Sequence, residues 1–259
     1  MTNHVFETMG TVVSLRFRDD EAPIETLGAV ESVFATLDER YSLYKPDSEL
    51  SRIASGELAL IAASAVLLDT YALAMDWRLQ TRGAFTPHRP DGVIDLSGVV
   101  KAIAIQRAAD ELETAGQRDW ILNAGGDVLR SPAAADILPW TVGIVDPARR
   151  TDLLTSFALT GTRRACATSG SAERGDHIWR AAAVAEFDQV TVLADDILTA
   201  DVLATAIVAG GNEALELACR TWSIDVLAIE PSGALRMSAG AVDAMNAARG
   251  FADATRQSA

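Results

Sequence analysis

Apolar and polar positions alternate along Thr11-Val-Val-Ser-Leu-Arg-Phe-Arg18, the period of a half-buried strand. The period then changes. From Ile24 to Tyr41 the apolar residues Leu27, Val30, Val33, Phe34 and Leu37 recur at helical spacing, and Ser64 to Gln80 carries a second helix of that kind. Between them, Pro46 interrupts Ser42 to Glu49, and Ser48 stands where it would cap a short helix. Gly83 to Ile94 has no period and holds Pro87, Pro90 and Gly92. Asp95-Leu-Ser-Gly98 then opens a helix over Val99 to Ala115. Trp120 to Arg130 predicts a strand, a double-glycine break and a strand. Thr141 to Val145 predicts a strand ended by Asp146-Pro147, and Ser156–Thr160 with Arg164–Thr168 a further pair.

Gln189-Val-Thr-Val-Leu-Ala194 predicts another strand, and a helix of small residues follows it. The first turn of that helix holds Asp201, with Thr205 four residues on, so the two side chains share a face. A carboxylate and a hydroxyl aimed together suit a hard cation such as Mg²⁺. The local alternative is that Asp201 answers the helix dipole and Thr205 fills space. Beyond Gly210-Gly211 the pattern gives a helix (Asn212–Thr221), a strand (Ile224–Ile229) and a turn at Pro231-Ser-Gly233. Hairpins mixed with helices predict an α+β fold, with mixed or antiparallel sheets and flanking helices. Residues 1–250 read as one domain, or two closely joined halves, and 251–259 as a disordered tail.

Composition narrows the classes. The 259 residues are 49% hydrophobic, enough for a sizeable core. A formal net charge of −14 argues against a nucleic-acid partner or an anionic membrane surface, because both need clustered cations. Cys166 and Cys219 have no zinc or disulfide spacing and read as two buried free thiols. The first ten residues lack a basic segment followed by an apolar one, and no apolar run approaches membrane-spanning length. A cytoplasmic protein without membrane insertion is the expectation.

Several motifs are absent: no G-x-G-x-x-G after a strand, no G-x-x-x-x-G-K-[ST], no H-E-x-x-H and no G-x-S-x-G. Ser42-Leu-Tyr-Lys45 matches S-x-x-K, but a K-T-G partner is impossible because Lys45 and Lys101 are the only lysines. Both lie inside loops that carry other motif residues.

Further patterns follow in order along the chain. Met9-Gly-Thr11 resembles an N-terminal M-G-T, and Ser42-Leu-Tyr-Lys-Pro-Asp-Ser-Glu-Leu50 an S-x-Y-x-P-D-S-E-L loop. Asp95-Leu-Ser-Gly-Val-Val-Lys101 resembles D-L-G-G-I-A-K, and Asn123-Ala-Gly-Gly-Asp127 resembles N-x-G-G-D. Thr168-Ser-Gly170 matches T-S-G, His177-Ile178 resembles the start of H-I-I-D-P, and Ala200-Asp-Val-Leu-Ala-Thr205 resembles A-D-A-L-A-T. In that order these segments are similar to the FAD:protein FMN transferase family, the ApbE-like flavin transferases, with departures. Ala102 replaces a glycine, Thr86 stands where Asp is usual, Trp179-Arg180 follows His177-Ile178, and the segments before Asp95 and before His177 are short.

The resemblance implies a related (T-fold-like) architecture and transfer of FMN from FAD to a Ser/Thr hydroxyl of an acceptor flavoprotein, with Mg²⁺ as cofactor and AMP released. It implies Asp201, Thr205 and the backbone carbonyl near Val100 as metal ligands, and His177 as the base. FAD contacts fall on Met9, Ser42, Tyr44, Asp95, Ser97, Lys101, Gly125, Gly126, Asp127, Thr168, Ser169 and Gly170. Locally, each has a plainer reading: Gly125-Gly126 as a hairpin turn, Lys101 as a solvated helix residue, Thr168 as a helix cap, Tyr44 as surface. The alternatives in function are an FAD pyrophosphatase giving FMN and AMP, and a non-catalytic FAD-binding protein.

Overall fold

The computed structural model describes residues 2–18, 22–132, 138–170 and 185–257. It opens with a hairpin, β1 (Thr2–Thr8) and β2 (Thr11–Phe17). Four helices follow: α1 (Ile24–Tyr41), α2 (Glu49–Ala54), α3 (Ala65–Gln80) and α4 (Ser97–Thr114). Then come β3 (Trp120–Ala124), β4 (Asp127–Arg130), β5 (Trp140–Asp146), β6 (Arg149–Leu159), β7 (Ala165–Gly170) and β8 (Gln189–Ala194). The chain continues through α5 (Ile197–Thr221), β9 (Asp225–Ile229), β10 (Leu235–Met237) and α6 (Ala239–Gln257).

Eight strands form one sheet in the order β1-β2-β3-β4-β7-β8-β9-β10, and every neighbouring pair is antiparallel. The order follows the chain except for β5 and β6, which leave the sheet and pair only with each other. The α+β expectation therefore holds, in its antiparallel form.

Alternation sorts the strand residues into two apolar layers. Leu122, Ala124, Leu129, Ala165, Ala167, Val190, Val192 and Ala194 join the cluster shared with α1, α4 and α5. Ile121, Val128, Cys166, Leu193 and Leu227 join a second cluster with Trp140, Val142, Ile144 and Phe157 of the β5–β6 hairpin and Ala241 of α6. All six residues of β8 are buried, because both of its faces are covered.

Some expectations are corrected. Arg149–Leu159 is one long strand paired with β5, and Ala165–Gly170 joins the main sheet, so the two do not pair with each other. The small-residue helix begins at Ile197 with Asp196 as its cap, accepting from the Thr199 N–H at 2.8 Å. That makes Asp201 its fifth residue rather than a first-turn one, which weakens the dipole explanation. Its backbone breaks at Gly211 (φ 63°), where the sequence has its double glycine. The helix is also long and apolar enough by composition to cross a membrane, contrary to the sequence reading, but 56% of that window is buried inside the fold. Chain reversal at Pro231-Ser-Gly233 leads into β10, and α6 runs to Gln257, past the start of the expected tail. Both cysteines are free, but Cys219 is exposed near the end of α5 while only Cys166 is buried.

Candidate active site

The β3–β4 connection has just two residues. Gly125 and Gly126 adopt φ 61° and 95°, the positive pair that a right-twisted hairpin turn needs. The Gly126 N–H donates to Asn123 Oδ1 at 2.9 Å, and the Gly125 N–H to the Val12 carbonyl at 3.2 Å. The hairpin reading of the double glycine is thus the observed one. Asp127 is the first residue of β4, and alternation puts it on the face of Leu129, toward the helices.

Asp127 is fully buried. Its Oδ1 accepts from the Thr168 N–H at 3.2 Å, and its Oδ2 contacts the Lys101 ammonium. Lys101, 8% exposed, comes from the second turn of α4. Its Nζ lies 3.6 Å from Oδ2 of Asp201, a residue 4% exposed on α5. Lys101 is therefore not a solvated helix residue; it sits in a buried triad drawn from α4, β4 and α5.

The start of α4 is fixed by Asp95, whose N–H donates to the Pro87 carbonyl at 2.8 Å and whose Oδ1 accepts from the Ser97 N–H at 2.9 Å. Gly98 is required by close approach: a Cβ there would fall 2.8 Å from Phe85 Cε2. Ser97 itself is exposed. Val100 is buried inside α4, where its carbonyl serves the helix and keeps a second lone pair.

Thr205 lies one helical turn beyond Asp201, and its Oγ1 is 3.0 Å from Ser169 Oγ of β7. Ser169 thus faces α5. Thr168 faces the opposite layer, its Oγ1 2.9 Å from Thr191 Oγ1. Only the Thr168 N–H reaches the triad, so the hydroxyl expected to join the phosphate contacts points away from it. Gly170 ends β7, where a Cβ would crowd the Asp188 carbonyl at 3.2 Å.

The expected residues divide into three groups. Lys101, Asp127, Asp201, Thr205 and Ser169 come together, with Gly125, Gly126, Val100, Asp95 and Ser97 on the adjoining turns. Met9 takes a left-handed φ of 50° in the β1–β2 turn, and Tyr44 is 84% exposed on the loop after α1. In that loop the Ser42 carbonyl gathers the Ser48 and Ser51 hydroxyls at 2.6 and 3.0 Å, while its own hydroxyl accepts from the Tyr44 N–H at 3.3 Å. His177 lies outside the described residues.

Sequence reading missed His88. Its Nε2 is 3.1 Å from the Tyr71 hydroxyl, and the ring is edge-on to Tyr71. Burial, with Arg78 nearby, lowers its pKa below the ordinary histidine value. It pairs with Ile94 in an isolated antiparallel bridge, which closes the short loop before Asp95.

The donor set can be tested against a cation. Among the described residues, two carboxylates and one ammonium meet in a buried place. Asp201, Thr205 and Ser169 add only oxygen donors, which suit Mg²⁺ rather than a soft metal. Among the described residues no group of three or more His, Cys, Asp or Glu side chains gathers to form a full cage. Mg²⁺ tolerates this, since it keeps waters and takes substrate phosphate oxygens. The residues fit the ion.

The sequence profile described as "ApbE family" matches residues 9–92 and 87–228. The chain belongs to the ApbE family. No curated protein matches it. Among solved structures, the ApbE protein of Thermotoga maritima superposes with a TM-score of 0.77 at 19% identity, over 94% of this chain and 99% of that one. Flavin transferase ApbE from Vibrio cholerae gives 0.74 at 21% identity, covering 92% and 96%. The apo Pseudomonas stutzeri flavinyl transferase ApbE gives 0.75 at 19% identity, covering 94% and 96%. These likenesses establish that the antiparallel sheet and its helical layer form an ApbE fold. The two matched segments overlap at residues 87–92 and together run from residue 9 to residue 228.

Proposed function

We propose that the protein transfers FMN from FAD to a Ser/Thr hydroxyl of an acceptor flavoprotein, with Mg²⁺ as cofactor. The carrying observation is the buried triad of Lys101, Asp127 and Asp201, which places one cation and two carboxylates beside the double-glycine turn. Membership of the ApbE family and the flavin transferase names of its structural neighbours support the same reading.

In the reaction the acceptor oxygen attacks the phosphorus on the FMN side of the FAD pyrophosphate. The P–O bond to AMP breaks and AMP leaves with its electron pair. The hydroxyl proton passes to a base, a role we assign to His177. Asp201, Thr205 and the Val100 carbonyl would hold Mg²⁺, which would neutralise charge on the pyrophosphate oxygens as it develops. The remaining work belongs to the chain. Lys101 sets a positive charge at the floor of the site. The Gly125-Gly126 turn lets a phosphate or ribityl group approach backbone. Asp95 locks the first turn of α4 so that Lys101 and Val100 keep their places. Tyr44, 84% exposed, is the aromatic residue we assign to stacking on the flavin or adenine ring.

The test is mass spectrometry of FAD and Mg²⁺ reactions with and without a threonine-bearing acceptor protein. Transfer gives AMP and an acceptor that stays fluorescent in a denaturing gel. FMN and AMP without acceptor modification identify a pyrophosphatase. Intact FAD after hours leaves only a binding protein.

A further inference from the structure

Lys101 does not divide itself evenly between its two carboxylates. Its ammonium contacts Asp127 and stands 3.6 Å from Asp201. Asp127 is anchored from behind, because its other oxygen accepts from the Thr168 N–H at 3.2 Å. We infer that Asp127 is a positioning residue for the cation site: it holds the Lys101 ammonium on β4 and so keeps the Asp201 carboxylate for a divalent cation. The inference rests on the metal role proposed for Asp201.

The physical reason is competition between cations. A lysine head is a compact charge on a flexible four-carbon stem, able to turn to whichever neighbouring carboxylate attracts it more. Coulomb attraction rises as separation falls, and at low exposure it is weakly screened. With Asp127 charged, the nearer carboxylate wins the ammonium. With Asp127 neutralised, Asp201 attracts it, and a divalent cation must displace it first. Asp127 therefore acts on the metal only through Lys101. An asparagine at 127 keeps the oxygen that accepts from the Thr168 N–H but turns an amide N–H₂ toward the ammonium, so the change removes both the charge and the acceptor that hold Lys101.

The experiment is Mn²⁺ titration of the full chain followed by electron paramagnetic resonance, with ADP present to supply a diphosphate. Asp127→Asn should weaken Mn²⁺ binding about 10–100-fold, the range seen when groups that support metal ligands are removed. Lys101→Met should tighten it. The double variant Lys101→Met/Asp127→Asn, which removes one charge of each sign and leaves the net charge of the triad unchanged, should bind within a few-fold of Lys101→Met alone. A double variant as weak as Asp127→Asn would overturn the inference, since Asp127 would then act without Lys101. So would an Asp127→Asn variant that binds like the unmodified protein. An Asp201→Asn arm separates the premise: if it binds Mn²⁺ as well as the unmodified protein, or if the latter binds none, the proposed metal role of Asp201 fails and this inference fails with it.

Discussion

At the scale of single residues, chemistry and conformation can be separated position by position. Gly126 has open space around a would-be Cβ, yet its φ is 95°. Gly126→Ala should cost about 1–2 kcal/mol in chemical denaturation for backbone strain alone. Its Gly125 neighbour shares the turn, so the loss should leave the rest of the sheet intact by circular dichroism. His88 gives a pH signature. Burial first, and Arg78 second, disfavour its charged form in the folded state. Below the ordinary histidine value of 6.5 the unfolded chain then binds more protons, so stability falls as pH drops from 6.5 toward the folded pKa. His88→Gln should flatten that part of the stability profile relative to the unmodified protein, as read from urea midpoints at several pH values. Much of this level was legible beforehand. The spacing of Asp201 and Thr205, the double glycine and the position of Lys101 were all visible as letters. Their partners were not. That Lys101 meets Asp127 and Asp201 depends on which face of β4 looks at α4 and α5, and no local pattern encodes that meeting.

At the scale of elements, α5 is the member that joins the site to the core. Its first half carries Asp201 and Thr205; the second half starts anew after Gly211, where the Asn212 N–H donates to Glu186 Oε2 at 2.8 Å. Glu186 thus caps the second half, and a Cβ on Gly211 would fall 2.7 Å from its carboxyl carbon. Glu186→Ala should cost roughly 0.5–2 kcal/mol, as loss of a helix cap does, with hydrogen exchange rising first in residues 212–221. The double glycine in the sequence announced this break, and the periodicity placed α1 and α3 to within a residue. Other elements escaped, β10 and α6 among them. β1 was not expected, although its residues do alternate between half-buried and exposed. The pairing of β6 was misassigned because strand partners are set by tertiary contacts, whereas a period reports only the strand itself. Thr168 and Ser169 show the same limit: adjacent hydroxyls look equivalent in sequence, but the pleat sends one to Thr191 and the other to Thr205.

At the scale of the molecule, one antiparallel sheet separates two apolar layers, and the site lies on the helix side where α4, β4, β7 and α5 converge. A chain with net charge −14 concentrates a lysine, one of only two, in that buried place. Such an arrangement suits a polyphosphate ligand accompanied by a divalent cation, because protein and ligand are both negative and the site must supply the compensating charge. The most direct measurement is intact-mass analysis of a threonine-bearing acceptor protein after incubation with FAD and Mg²⁺, run in parallel with the unmodified enzyme and with Asp201→Asn. The expected result is one FMN added per acceptor, an equal amount of AMP, and loss of both in the variant while its thermal unfolding stays cooperative. An unmodified acceptor beside intact FAD, or undiminished transfer by Asp201→Asn, would contradict the account.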